Sequence, residues 1–176
     1  MRGIQRFGLA IIAGLVAFAV APAQEKFVGA STCKMCHQTK KQGEQFKIWQ
    51  KARHSGAYKT LTTPAAQKIR KGAEKDAECL ACHTTAYGVD AKLLDKKFNM
   101  EDGVQCEACH GAGGKYKSMS TMKDHAKAVA AGMTDFKKDG AIEAACKTCH
   151  NEKSPTFKGF KLDEMLAKIA HPTPKG

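Results

Sequence analysis

The sequence repeats one five-residue word four times, Cys33-Lys34-Met35-Cys36-His37, Cys79-Leu80-Ala81-Cys82-His83, Cys106-Glu107-Ala108-Cys109-His110 and Cys146-Lys147-Thr148-Cys149-His150, and it spends all eight cysteines on them. Two thiols three positions apart, followed at once by an imidazole, form the attachment signature of a c-type haem. The thiols add to the two vinyl groups on one edge of the porphyrin, and the histidine reaches the iron. Zinc sites draw on separated Cys and His pairs, and a disulfide framework would leave four adjacent histidines without a purpose. The expectation is therefore four covalently bound haem c groups, carried by Cys33, Cys36, Cys79, Cys82, Cys106, Cys109, Cys146 and Cys149, with His37, His83, His110 and His150 as iron ligands.

Haem of this type is attached outside the cytoplasm, and the amino terminus gives the same compartment independently. Residues 1–6 form a basic region, Phe7 to Val20 an apolar one, and Ala21-Pro22-Ala23 the small residues of a cleavage site. The expectation is a signal peptide over 1–23, a single domain over 24–176, and a periplasmic protein. The apolar run is shorter than the ~20 residues a spanning helix requires, so no stable membrane anchor is expected.

Removing that leader leaves 153 residues, the size of one domain. The motif spacings of 46, 27 and 40 show no repeat period, which excludes a solenoid. Four porphyrins must share one small shell and supply much of its apolar interior. The fold class expected is mainly α, a single small domain of helices and long loops wrapped around the haems.

Charge bears on partners. The chain carries 29 Lys and Arg against 17 Asp and Glu, +12; losing Arg2 and Arg6 with the leader leaves +10. Such a surplus steers a protein toward redox partners with acidic docking surfaces. Nucleic acid is the weaker reading, because the compartment is wrong and no basic run is interleaved with aromatics.

Seven histidines less the four in the motifs leave His54, His125 and His171 for the far sides of four irons. One iron goes without. Each spare histidine has a helical context: His54 closes the stretch from Gln45, in which Phe46, Trp49 and Ala52 recur every three residues; His125 falls in an alanine-rich helix, Ser118 to Ala131, closed by Gly132; and His171 follows Leu162, Met165, Leu166 and Ile169. The missing ligand leaves several outcomes: an open iron, a methionine or lysine ligand, or a histidine from a second copy. Thr63-Pro64 predicts a helix from Ala65 to about Lys75, Asp102-Gly103 and Gly111-Ala112-Gly113-Gly114 predict turns, and the last glycines would let backbone lie against a haem face.

These residues together resemble the tetrahaem cytochrome c-554 family. The resemblance rests on the first motif followed by a Trp-containing helix with His54, on Cys82-His83-Thr84-Thr85-Ala86-Tyr87-Gly88, on Gly103-Val104-Gln105-Cys106-Glu107-Ala108-Cys109-His110-Gly111, and on the Leu162-Asp163-Glu164-Met165 helix, in that order. It implies a periplasmic electron carrier with parallel, closely stacked haem pairs, an arrangement shared with parts of hydroxylamine oxidoreductase and the pentahaem nitrite reductases. It also implies that His125 faces the haem of His37, His171 that of His110 and His54 that of His150, with the iron on His83 five-coordinate. Two further functions compete with a carrier: reduction of a small molecule such as nitric oxide at the His83 haem, and a subunit of an extracellular haem filament. The segment between the fourth motif and the final helix is shorter here than in the family.

Overall fold

The computed structural model describes residues 25–173, so the expected signal peptide lies outside the described residues. Ten short helices follow one another: α1 (Ala30–His37), α2 (Gln45–Lys51), α3 (Ala57–Leu61), α4 (Pro64–Ile69), α5 (Ala77–His83), α6 (Cys106–His110), α7 (Met119–Met122), α8 (His125–Ala130), α9 (Ala141–Lys147) and α10 (Leu162–Leu166). The β structure among the described residues is one isolated parallel bridge, Phe27 to Leu94. The fold is mainly α, as expected.

None of these helices exceeds eight residues, which is too short to be stable alone in water. Tertiary contacts must hold them, yet the fully buried apolar set among the described residues is small: Val28, Ala30, Phe46, Leu61, Ala73, Leu80, Tyr116 and Ala128. Only Leu61, Ala73 and Leu80 gather into a cluster, between α3 and α5, with Tyr58 and Ala66 against it. So thin a layer is what a shell for large apolar cofactors needs. No described helix is long and apolar enough to cross a membrane.

Helix ends differ from the sequence expectation in four places, each for a local reason. Thr63 caps α4 through the amide of Ala66, but Arg70 turns extended and the helix stops at Ile69 rather than near Lys75. The single helix expected over 118–131 is two, because the Asp124 side chain accepts the Lys127 amide and starts α8 anew at His125. That helix does close at Gly132, with Gly132 and Met133 donating to the carbonyls of Val129 and Ala128. His54 lies beyond α2, in the 3-10 turn Arg53–Gly56, and His171 lies past α10 in irregular chain.

Candidate haem-binding site

Three motifs end helices. In α1, α5 and α6 the histidine is the last helical residue, while the fourth motif starts in α9 and runs into the turn that follows. On a helix, residues three and four apart share a face, so both thiols and the imidazole project to one side. None of the eight cysteines is in a disulfide.

The third motif is the hub. Glu107, within it, is 3 % exposed and accepts the amides of Val28 (2.8 Å), Gly29 (2.8 Å) and Gly113 (2.7 Å), which ties the amino-terminal segment to the loop after the motif. Gln105 accepts the Ala30 amide at 2.8 Å, donates to the Asn99 carbonyl at 2.8 Å, and through its own amide donates to the Thr85 hydroxyl at 2.7 Å. Thr85 in turn donates to the Gly103 carbonyl at 3.1 Å. Trp49 donates its indole N–H to the Val104 carbonyl at 2.7 Å. One segment, 103–107, thus fastens α1, α2 and the chain after α5 together. The glycines that follow serve this packing: a Cβ on Gly114 would meet the Lys26 carbonyl at 2.9 Å, and one on Gly113 the Val28 side chain at 3.1 Å.

The same segment positions His54. Its carbonyl accepts the Val104 amide at 2.9 Å. Gly103, at φ +73, presses so close that a Cβ there would lie 2.6 Å from that carbonyl. The His54 ring faces His150 with centroids 6.0 Å apart. His110 faces His171 at 5.8 Å. Two imidazoles bound to opposite sides of one metal, each at about 2 Å through the near nitrogen, place their centroids about 6 Å apart, so both pairs fit a bis-histidine iron. Burial and the neighbouring imidazole hold His54 below the ordinary histidine range. In His110 burial does most of this, with help from His171 and His37, and lowers it to about 4. His171 is lowered mainly by burial as well. All three are neutral near pH 7, the form with a lone pair to give a metal.

The other histidines have different company. His83 sets its Nδ1 2.8 Å from the Ala57 carbonyl, which fixes the ring and leaves Nε2 free. His125 places Nε2 3.3 Å from the Asp135 carboxylate. His37 lies near enough to His110 and His171 to depress both.

Thiols of different motifs meet. Cys33, whose thiol donates to the Gly29 carbonyl at 3.8 Å, is raised by Cys106 nearby and by burial. Cys82 is raised by burial and by Cys149 beside it. Cys109 is pushed up to about 11 by burial, then by Cys146 and Cys149. The motifs therefore adjoin in the order first, third, fourth, second.

The family described as Cytochrome c554 and c-prime matches residues 32–111. The curated cytochrome c-554 of Nitrosomonas europaea is 26% identical over 185 residues, covering 84% of this chain and 74% of that protein.

Both matches support a cytochrome of the c-554 family. This cytochrome is a c-type one, with covalently bound haem c and a part in electron transfer to redox partners. No solved structure matches it. What sequence reasoning missed in this cytochrome is the anchoring by Gln105 and Glu107. The only signal was an acid at a motif position that holds Lys34, Leu80 or Lys147 in the other copies.

Proposed function

We propose that the chain is an exported tetrahaem carrier that passes electrons through its cofactors in the order first, third, fourth and second motif. The observation that carries this is the pairing of imidazoles, His54 with His150 at 6.0 Å and His110 with His171 at 5.8 Å, beside the packing of α1 on α6. Haem, when bound, supplies a one-electron iron centre at each motif. The chain's own groups hold and orient: His54 opposite His150 and His171 opposite His110 are the ligand pairs of two closed sites. For the first motif, His125 serves His37; its Nε2 is engaged by Asp135, so Nδ1 is the nitrogen left for the iron. The basic and apolar leader supports a periplasmic location.

Four-electron uptake per chain in an absorbance-monitored redox titration is the expected result. Uptake of fewer than four electrons refutes the carrier as stated.

A second reading, reduction of nitric oxide at the second motif, is favoured by the distribution of imidazoles. His83 is braced by the Ala57 carbonyl, while the three spare histidines are engaged by His150, His110 and Asp135. An iron there is open to a small ligand. A visible spectrum that nitric oxide leaves unchanged in both oxidation states would remove this reading.

A further inference from the structure

We propose that the α1–α2 face is the docking surface for an acidic redox protein, which exchanges electrons at the first motif; the inference rests on the carrier reading and adds the place of contact. Cys36 is the one exposed cysteine of the eight. Met35 beside it is 64% exposed. The partner of Cys36 within the motif, Cys33, is partly buried with its thiol 3.8 Å from the Gly29 carbonyl, and its helix packs on α6 of the third motif. A haem held by these two thiols would have one attachment at the surface and the other on the side of the third motif.

The charge of the chain is concentrated around that spot. Residues 31–53 hold six cations, Lys34, Lys40, Lys41, Lys47, Lys51 and Arg53, all exposed, against a single acid, Glu44, which Lys47 engages at 2.6 Å. The other described residues carry 20 cations against 16 acids. Lys34 lies over the Phe46 ring, 5.4 Å from its centre, so α1 and α2 form one unit. Glu101 and Asp102 line the cleft between these helices together with Lys34. That leaves Lys40, Lys41, Lys51 and Arg53 to project the field. An apolar centre at a cofactor edge with a cationic rim is the anatomy of a transient, electrostatically steered electron-transfer contact. A membrane surface fits less well, because one exposed methionine offers little to insert.

The test uses the holoprotein in stopped-flow reduction by photoreduced flavodoxin, an acidic flavoprotein, and by reduced lumiflavin, which carries no docking charge. The variants are K40E/K41E/K51E on the face and K68E/K71E/K75E on α4 and the segment that leads to the second motif, with the same change in net charge. At about 10 mM salt the face variant should lose at least about tenfold in rate with flavodoxin and the control no more than about threefold, the gap closing at about 0.5 M salt. Lumiflavin should reduce all three proteins at one rate. Equal slowing of both variants, slowing of neither, or slowing of the face variant with lumiflavin as well would overturn the proposal. Cosedimentation with anionic vesicles that only the face variant loses, with flavodoxin rates unaltered, would overturn it in favour of a membrane surface. Failure of lumiflavin to reduce the wild-type protein would instead refute the carrier reading and the docking site with it.

Discussion

Replacing Glu107 with alanine should be among the most damaging single changes available outside the haem-binding residues. The carboxylate is 3 % exposed and is the acceptor for three buried amides, those of Val28, Gly29 and Gly113. A buried donor left without a partner costs about 1–3 kcal/mol. Three would cost about 3–9, and water entering the space of the lost side chain brings the expectation to the lower half, about 3–5 kcal/mol. That is a large part of the roughly 5–15 kcal/mol by which domains are stable. Glu107→Gln keeps one acceptor oxygen but sets an amide NH2 against at least one of the amides, and should fall between, at about 1–3 kcal/mol. Guanidinium unfolding of the holoproteins, followed by circular dichroism, gives the differences directly, since the haems stay attached in both states. In hydrogen exchange the amides of residues 28, 29 and 113 should be protected in the wild type and lose protection in Glu107→Ala. An alanine variant within about 1 kcal/mol of wild type would refute the reasoning, as would wild-type exchange at those three amides.

Gly103→Ala should destabilise the protein by about 1–3 kcal/mol, since φ is +73 and its Cβ would strike the His54 carbonyl; the same variant should perturb the spectrum of the His150 haem while leaving the His110 haem alone. His54→Ala should convert one low-spin iron to high-spin, and His171→Ala another, each counted by electron paramagnetic resonance. Asp76 caps α5 through the amides of Glu78 and Cys79, and its hydrogen bond to Arg70 draws it below the ordinary 3.8. A carboxylate lowered on folding stabilises above its unfolded value and loses that as pH falls through its folded value. The deficit in melting temperature of Asp76→Ala should therefore be full at pH 7 and shrink below about pH 4.

Much of this architecture is legible in the chain because its chemistry is local. A Cys-x-x-Cys-His word states its cofactor without reference to fold, and subtracting its histidines singles out His54, His125 and His171. Thr63-Pro64 and Gly132 mark a helix start and a helix end that the structure keeps. Where the reading fell short, competition between local and distant partners decided. Asp124 looks like a residue within an alanine-rich helix, yet its side chain captures the Lys127 amide and splits that helix. Arg70, inside a helix-forming run, pairs with Asp76 and Glu78 as the chain turns. Gln105 and Glu107 bond to residues more than seventy positions away at their amino-terminal ends, and periodicity carries no trace of such partners.

The central claim is that four motifs hold three closed irons and one open one, the open one on His83. Quantitative electron paramagnetic resonance of the fully oxidised protein tests it most directly. The account predicts low-spin and high-spin ferric signals in a ratio of about three to one, with a His83 variant changing the line shape of the high-spin signal and leaving the low-spin signals alone. Four low-spin irons, or a His83 variant that leaves the high-spin line shape as in the wild type while a low-spin signal changes, would contradict it.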